Sequence, residues 1–293
     1  MFDRILFPTD GSDGAAAAFD HVLDLADAHD ATVSVLYVAD TTRDSVTRIG
    51  DQVVDALELE GTEIVSEATE RASDRGVATV AEVLQGEPYS TIVDYAAASD
   101  ADLIVMPTHG RRGLGRFLLG STTERVVRRS DVPILTIRPD EDVRVRHPYR
   151  NVLVPTDGSD PAGAALDLAL GVVSAEAAAL HLLSVVDVAS LGVDVRADIA
   201  VDSLEASANE VLDDAERTAT AAGVDPAAAT VEFGTSIARA IRTYVEERDV
   251  DLVVVGTHGR TGFDRYVLGS VTEKLVRTAP VPVLAVRGAA PEA

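Results

Sequence analysis

The chain has 293 residues, 46% of them hydrophobic, with 49 acidic against 25 basic side chains and a net charge of −24. That length and apolar share suit two ordinary globular domains with buried cores. The absence of cysteine excludes a disulfide framework, a cysteine metal site and a thiol nucleophile, and so acidic a chain offers no basic face to duplex nucleic acid.

The chain enters a strand at once, Phe2-Asp3-Arg4-Ile5-Leu6-Phe7, which leaves no room for a signal peptide. Ser12 or Asp13 reads as the N-cap of a helix near 13–29, rich in Ala with Leu and Val at helical intervals. Thr32 to Val38 is a second strand, and 41–50 is polar and turn-like. A long amphipathic helix is expected from about 51 to 75, stopped by Gly76. Val77 to Leu84 is a third strand, and Gly86-Glu87-Pro88 leads into a helix near 88–98. Asp102 to Met106 is a fourth strand. A glycine-punctuated loop follows, from Thr108-His109-Gly110 to Leu119-Gly120-Ser121, then a helix near 122–129 and a fifth strand, Pro133 to Ile137. Residues 141–149, with Arg144, Arg146 and Pro148, form a linker between a first domain over 1–140 and a second over 150–293.

The second domain repeats the first. Phe7-Pro8-Thr9-Asp10-Gly11-Ser12-Asp13 matches Val154-Pro155-Thr156-Asp157-Gly158-Ser159-Asp160, and Thr108-His109-Gly110-Arg111 matches Thr257-His258-Gly259-Arg260. Val132-Pro133-Ile134-Leu135 matches Val281-Pro282-Val283-Leu284 in the same order. Two such long units mean a duplicated domain, not a short-period solenoid. Strands are expected near 151–154, 179–185, 228–233, 251–255 and 282–286, with Ser159 or Asp160 capping the first helix and Pro161 near its first position. Strands alternating with helices imply an α/β fold whose parallel sheet is covered on both faces. In such sheets ligands bind beyond the carboxyl ends of the strands, where strand order reverses. The Pro-Thr-Asp-Gly-Ser stretch and the glycine loop both lie at such ends.

Strand, glycine loop and helix start form the geometry in which main-chain N–H groups point at an anion. Gly256, Gly259 and Gly269 lack a Cβ, so phosphate or ribose can approach the main chain. Ser270 and Thr272 add hydroxyl donors at the helix entrance. Asp10 and Asp157 can close turns on their own backbone, hold ribose hydroxyls, or reach a phosphate-bound Mg²⁺ through water. His109 and His258 have no partner nucleophile in sequence, and each reads as fixing its loop by a hydrogen bond. Arg111, Arg112, Arg116, Arg125, Arg128 and Arg129 crowd one stretch. Arg128 and Arg129 suit a helix carboxyl end, whereas Arg111 and Arg112 lie in the loop, where attraction of phosphate is the alternative.

The pattern Gly-x-x-Gly-x9-Gly-Ser after the fourth strand, with Pro-Thr-Asp-Gly-Ser after the first, resembles the universal stress protein family, and the match runs through both units. The resemblance implies two tandem five-stranded parallel-sheet sandwiches, Rossmann-like and close to the adenine nucleotide alpha hydrolase type. It further implies an adenine-nucleotide site in each, for ATP, ADP or AMP, with Mg²⁺ as an optional companion. Carried over by position, the second site uses Pro155, Thr156, Asp157 and Val185, with Val255, Gly256, His258, Gly259, Gly269, Ser270, Val271 and Thr272 around ribose and phosphates. The first uses Pro8, Thr9, Asp10, Val38, Met106, Gly110, Gly120, Ser121, Thr122 and Thr123. The family's pairing of domains through the last strand implies that 133–137 meets 282–286 within one chain, with a homodimer as a further option.

One position departs from the pattern: Pro107 stands where the second unit has Gly256. Proline has no N–H, and a net hydrogen bond contributes about 1 kcal/mol, so the first site is expected to be weaker. The family resemblance points to a nucleotide-binding stress-response protein. No Walker lysine, base or arginine finger accompanies the motifs, so slow ATP hydrolysis and a nucleotide-independent dimerisation scaffold remain the alternatives.

Lys274 is the single lysine among the 25 basic residues. Self-repulsion on this scale is screened in concentrated salt, where the Debye length falls to about 3 Å at 1 M. The composition therefore reads as adaptation to a saline, halophilic cytoplasm, with an acidic protein from a high-GC genome as the alternative. No apolar run approaches the roughly 20 residues that a membrane-spanning helix needs.

Overall fold

The computed structural model describes residues 1–40, 46–49, 52–110, 119–188, 197–257 and 268–288. The chain divides into two compact units, Met1–Glu141 and Asp142–Ala293.

The first unit holds β1 (Arg4–Pro8), α1 (Asp13–His29), β2 (Thr32–Asp40), β3 (Val46–Ile49), β4 (Gln52–Asp55) and α2 (Ala56–Asp74). It continues with β5 (Thr79–Gly86), α3 (Pro88–Ala98), β6 (Leu103–Pro107), α4 (Ser121–Arg129) and β7 (Ile134–Ile137). Its main sheet is parallel throughout, in the order β5-β2-β1-β6-β7. The second unit holds β8 (Asn151–Pro155), α5 (Asp160–Glu176), β9 (Ala179–Asp187), α6 (Ala197–Ala221) and β10 (Ala228–Gly234). After these come α7 (Ile237–Glu247), β11 (Leu252–Gly256), α8 (Ser270–Thr278) and β12 (Val283–Val286). Its sheet runs β10-β9-β8-β11-β12, again parallel. Each unit is thus a five-stranded parallel α/β sandwich.

The central strands are buried on both faces, as Ile5, Leu6 and Phe7 in β1 and Val152, Leu153 and Val154 in β8 show. Continuous apolar runs follow from that burial. Helix entry is set by local chemistry. Ser12 and Ser159 are the N-caps, accepting from the N–H groups of Ala15 and Ala162. Gly76, at φ 74°, follows the end of α2.

One expected stretch differs. The polar segment near 41–50 contains a strand, because Val46–Ile49 pairs antiparallel with Gln52–Asp55, and α2 starts at Ala56 rather than near 51. Two short strands satisfy each other's main-chain groups, so they need no apolar run to mark them. Residues 142–149 are pinned to the second unit. Arg144 pairs with Asp249, and Glu176 accepts from the N–H of buried Tyr149.

Among the described residues no helix is long and apolar enough to cross a membrane.

Candidate functional site

Strand order reverses between β1 and β6 in the first unit and between β8 and β11 in the second. The β1–β6 register covers Ile5–Leu103 and Leu6–Ile104, and the β8–β11 register covers Val152–Leu252 and Leu153–Val253. In open α/β sheets such a reversal is where a ligand crevice forms, beyond the carboxyl ends of the strands.

One wall is the loop after the first strand. Thr9 N–H donates to the Leu36 carbonyl at 2.9 Å, and Thr156 N–H to that of Leu183 at 2.8 Å, which ties each loop to the neighbouring strand. Thr9 Oγ1 accepts from Gly11 N–H, and Asp10 Oδ1 accepts from Ser12 N–H at 3.0 Å. Thr156 and Asp157 make the same contacts, and Ser159 Oγ adds a 2.6 Å bond to Asp157 Oδ1. Both aspartates thus close turns with one oxygen. Gly11 and Gly158 supply the left-handed residue at φ 69° and 74°. The other oxygen of Asp10 reaches the second loop: a Cβ on Gly110 would stand 2.0 Å from Oδ2.

The opposite wall is the start of α4 or α8. Gly120 N–H donates to the Thr108 carbonyl, and Gly269 N–H to that of Thr257, each at 2.8 Å. A Cβ on Gly120 would come within 3.2 Å of the Thr108 carbonyl and 3.4 Å of His109 Cα, so a side chain would crowd this approach. Glycine at both N-caps brings no capping side chain. The first hydrogen bond inside each helix is Glu124 to Gly120, or Glu273 to Gly269. The N–H groups of 121–123 and 270–272 therefore have no acceptor within their own helix.

Thr272, expected as a hydroxyl donor at the entrance, turns inward, and Thr123 of the first unit does the same. Thr123 Oγ1 donates to the Pro107 carbonyl at 3.0 Å, and Thr272 Oγ1 to the Gly256 carbonyl at 2.7 Å. Both are buried. They clasp the helix start to the strand end, so what they present outward is main chain. Ser121 and Ser270 are exposed, while Thr122 and Val271 are half-buried. Val38 and Val185 are half-buried near the ends of β2 and β9, Met106 and Val255 are buried in β6 and β11, and Pro8 and Pro155 end their strands. His109 Nδ1 lies 3.2 Å from Thr108 Oγ1, in keeping with a loop-fixing role. His258, Gly259, Arg111, Arg112 and Arg116 lie outside the described residues.

The arginines of α4 are occupied. Arg125 pairs with Glu87 at 2.8 Å and Arg128 with Glu124 at 2.7 Å, while Arg125 and Arg129 lie 4.9 and 5.0 Å from the Tyr89 ring centre. Arg125 and Arg129 stitch α4 to the start of α3, and Arg128 is paired within α4.

Sequence reading missed one aspartate at the other end of each sheet. Asp102 Oδ2 accepts from the N–H groups of Asp3 and Arg4, and Asp251 Oδ2 from those of Arg150 and Asn151. An acid just before the fourth strand of both repeats was the available signal. Also missed was buried His181, whose Nδ1 faces Tyr244 Oη at 3.1 Å and whose Nε2 faces Asn151 Oδ1 at 3.4 Å. Burial, and then Arg248, hold its pKa below the ordinary histidine value.

Fold and site define a chain of two parallel α/β units, each with a crevice at the switch in strand order, walled by a turn-closing aspartate and an uncapped helix start. The sequence model of the universal stress protein family matches residues 1–138 and 148–287, and the chain belongs to that family. A universal stress protein of Methanocaldococcus jannaschii is 36% identical over 145 residues, covering 47% of this chain and 83% of the relative. One from Mycobacterium bovis is 30% identical over 244 residues, 78% of each chain. The crystal structure of a universal stress protein from Archaeoglobus fulgidus aligns over 98% of both chains, with a TM-score of 0.74 and 25% identity.

Proposed function

We propose that each unit binds an adenine nucleotide, ATP in the first instance, at the carboxyl ends of its strands, and that the chain acts as a nucleotide-responsive regulatory protein. The observation that carries this reading is the convergence of three features on one crevice. The Asp10 carboxylate meets Gly110, glycine stands at the N-cap of α4, and the N–H groups of 121–123 are left without helical acceptors. Helix-start N–H groups favour the negative charge of a polyphosphate. Asp10 and Asp157 accept from ribose hydroxyls or, through water, hold a phosphate-bound Mg²⁺. Val38 and Val185 offer an apolar surface to the base. The pairing of 133–137 with 282–286, a homodimer and a cytoplasmic location belong to the same proposal and rest on the family resemblance.

Isothermal titration of the full chain with Mg·ATP in molar KCl tests it. The expected result is saturable heat together with a rise in thermal midpoint. No heat and no thermal shift at millimolar nucleotide would remove the reading.

A further inference from the structure

Strand β10 is the outer strand of the second unit's sheet, and among the described residues it pairs with β9 alone. Ala227 N–H donates to the Leu180 carbonyl, and main-chain groups alternate between the two edges of a strand. Those of Thr230, Glu232 and Gly234 therefore point outward, an unpaired edge that another chain can extend. Phe233 at its end is 43% exposed.

Strand β10 and helix α7 enclose a groove of about 460 Å³, the size of a small-ligand site. Ala240 and Tyr244 of the helix and Phe233 of the strand line it, together with Glu232, Arg239 and Glu247. These three charged residues are exposed, and none has an ion pair or side-chain hydrogen bond among the described residues. Nearby arginines are occupied: Arg248 lies over the Tyr244 ring, and Arg277 pairs with Glu273.

The charges are sorted along the groove. Arg239 stands in the first turn of α7, where Ser236 gives no side-chain cap and the N–H groups of Ile237 and Ala238 lack a helical acceptor. Glu247 ends the helix. A rise of about 1.5 Å per residue puts the two about 12 Å apart, too far to neutralise each other. One end of the groove attracts an anion and the other a cation. The first unit does not repeat this. Aligning Tyr95 with Tyr244, and the left-handed Asp100 with Asp249, places Ser90 at Arg239 and Ala98 at Glu247. Ser90 is taken up by Asp94 within its own helix.

We propose that the groove between β10 and α7 takes the extended carboxyl terminus of a partner protein, added to the sheet as a strand parallel to β10. Helix α7 begins at the carboxyl end of β10 and runs back along it. An anion at the start of α7 therefore sets the peptide's own carboxyl end beside Gly234. The terminal carboxylate meets Arg239 and the free N–H groups of the helix start. At about 3.3 Å per residue, a lysine or arginine three or four residues upstream reaches Glu232 or Glu247. Main-chain pairing gives affinity, and the two charged ends fix register. The proposal is independent of nucleotide binding.

The test titrates fluorophore-labelled hexapeptides with the full chain in molar KCl and reads anisotropy. The peptides are built of threonine and valine with one lysine moved along them, each made as the free acid and as the amide. Free acids with lysine three or four residues before the end should bind best. Amidation, or Arg239→Ala, should weaken binding about tenfold or more, the worth of a hydrogen bond to a charged group. The variant E232Q/E247Q should lose the preference for lysine position while still requiring the free carboxylate. The altered side chains are exposed and unpaired, so an unchanged thermal midpoint is expected of both variants. Equal binding of acid and amide, binding indifferent to Arg239→Ala, or a lysine preference that survives E232Q/E247Q overturns the proposal. So does a failure of every peptide to bind at millimolar concentration. A groove filled by a second copy of the chain would show as a dimer that Arg239→Ala dissociates and that no peptide enters, which also overturns it.

Discussion

The carboxylate of Asp10 lies against Gly110, where a Cβ would stand 2.0 Å from Oδ2 and 2.9 Å from Cγ. The same carboxylate is held by Ser12 N–H through Oδ1. It cannot swing away from an added methyl group without giving up that bond, so the two loops of the first cleft are mechanically linked.

Gly110→Ala should therefore destabilise the first unit by about 1–2 kcal/mol, the usual range for a local clash. Asp10→Ala removes the colliding group. The double variant should be more stable than the sum of the single changes by about 1 kcal/mol, as contacting residues couple. Denaturant titration of the four proteins at constant high salt measures this. Strict additivity would show that the two loops are not in contact.

Much of this arrangement was legible in sequence, for physical reasons. Doubly buried strands must be apolar throughout, so Leu252 to Val255 announced β11. Ser12 and Ser159 sit where helix-start N–H groups need an acceptor, and Gly76 marks a left-handed residue. Other features left no pattern. Thr272 read as a hydroxyl donor at the helix entrance, because composition does not tell which way a hydroxyl turns at a helix start. Asp30 and Ala177 adopt φ 53° without glycine to signal it.

Two helical glycines should respond oppositely to alanine. Gly61 in α2 faces buried Tyr37, whose Cδ1 would lie 2.4 Å from a new Cβ. Overpacking of this kind costs about 1–3 kcal/mol, against a helix-propensity gain of about 1 kcal/mol, so Gly61→Ala should be net destabilising. Gly163 in α5 is exposed and a Cβ there meets nothing within 4 Å. Gly163→Ala should stabilise by about 0.5–1 kcal/mol. Equal responses at the two sites would contradict the packing described for α2.

The exposed Ala177 provides a reciprocal case. It ends α5 at φ 53°, a left-handed conformation that costs a residue with a Cβ about 1 kcal/mol. Ala177→Gly should recover much of this and raise the thermal midpoint of the second unit. A fall in midpoint would mean that the added freedom of the unfolded chain outweighs the relief.

His181 sets a pH dependence whose direction follows from its partners. Asn151 Nδ2 donates to the Asp249 carbonyl, which turns Asn151 Oδ1 toward the ring. Nε2 therefore carries the hydrogen, and Nδ1 accepts from the Tyr244 hydroxyl. A second ring proton, on Nδ1, would make that hydroxyl turn from donor to acceptor. The unfolded chain titrates near the ordinary value of about 6.5, while burial and then Arg248 hold the folded pKa lower. Between the two values only the unfolded chain is protonated, so this contribution is complete above about 6.5 and is lost as pH falls toward the folded value. His181→Phe should flatten the change in thermal midpoint between about pH 7.5 and 5.5. An unchanged pH profile in that variant would place the acid sensitivity elsewhere.

The net charge of −24 makes salt the broadest test of the composition. Like charges about 10 Å apart are unscreened in dilute buffer, but the Debye length shrinks from about 10 Å at 0.1 M to about 3 Å at 1 M. If self-repulsion limits stability, the thermal midpoint should climb steeply over that interval in KCl and then level off. Preferential exclusion of salt from the surface would instead raise it steadily to higher concentrations. A midpoint that is flat from 0.1 to 1 M would show that the acidic surface carries little repulsive energy, and the saline-cytoplasm reading would lose its physical basis.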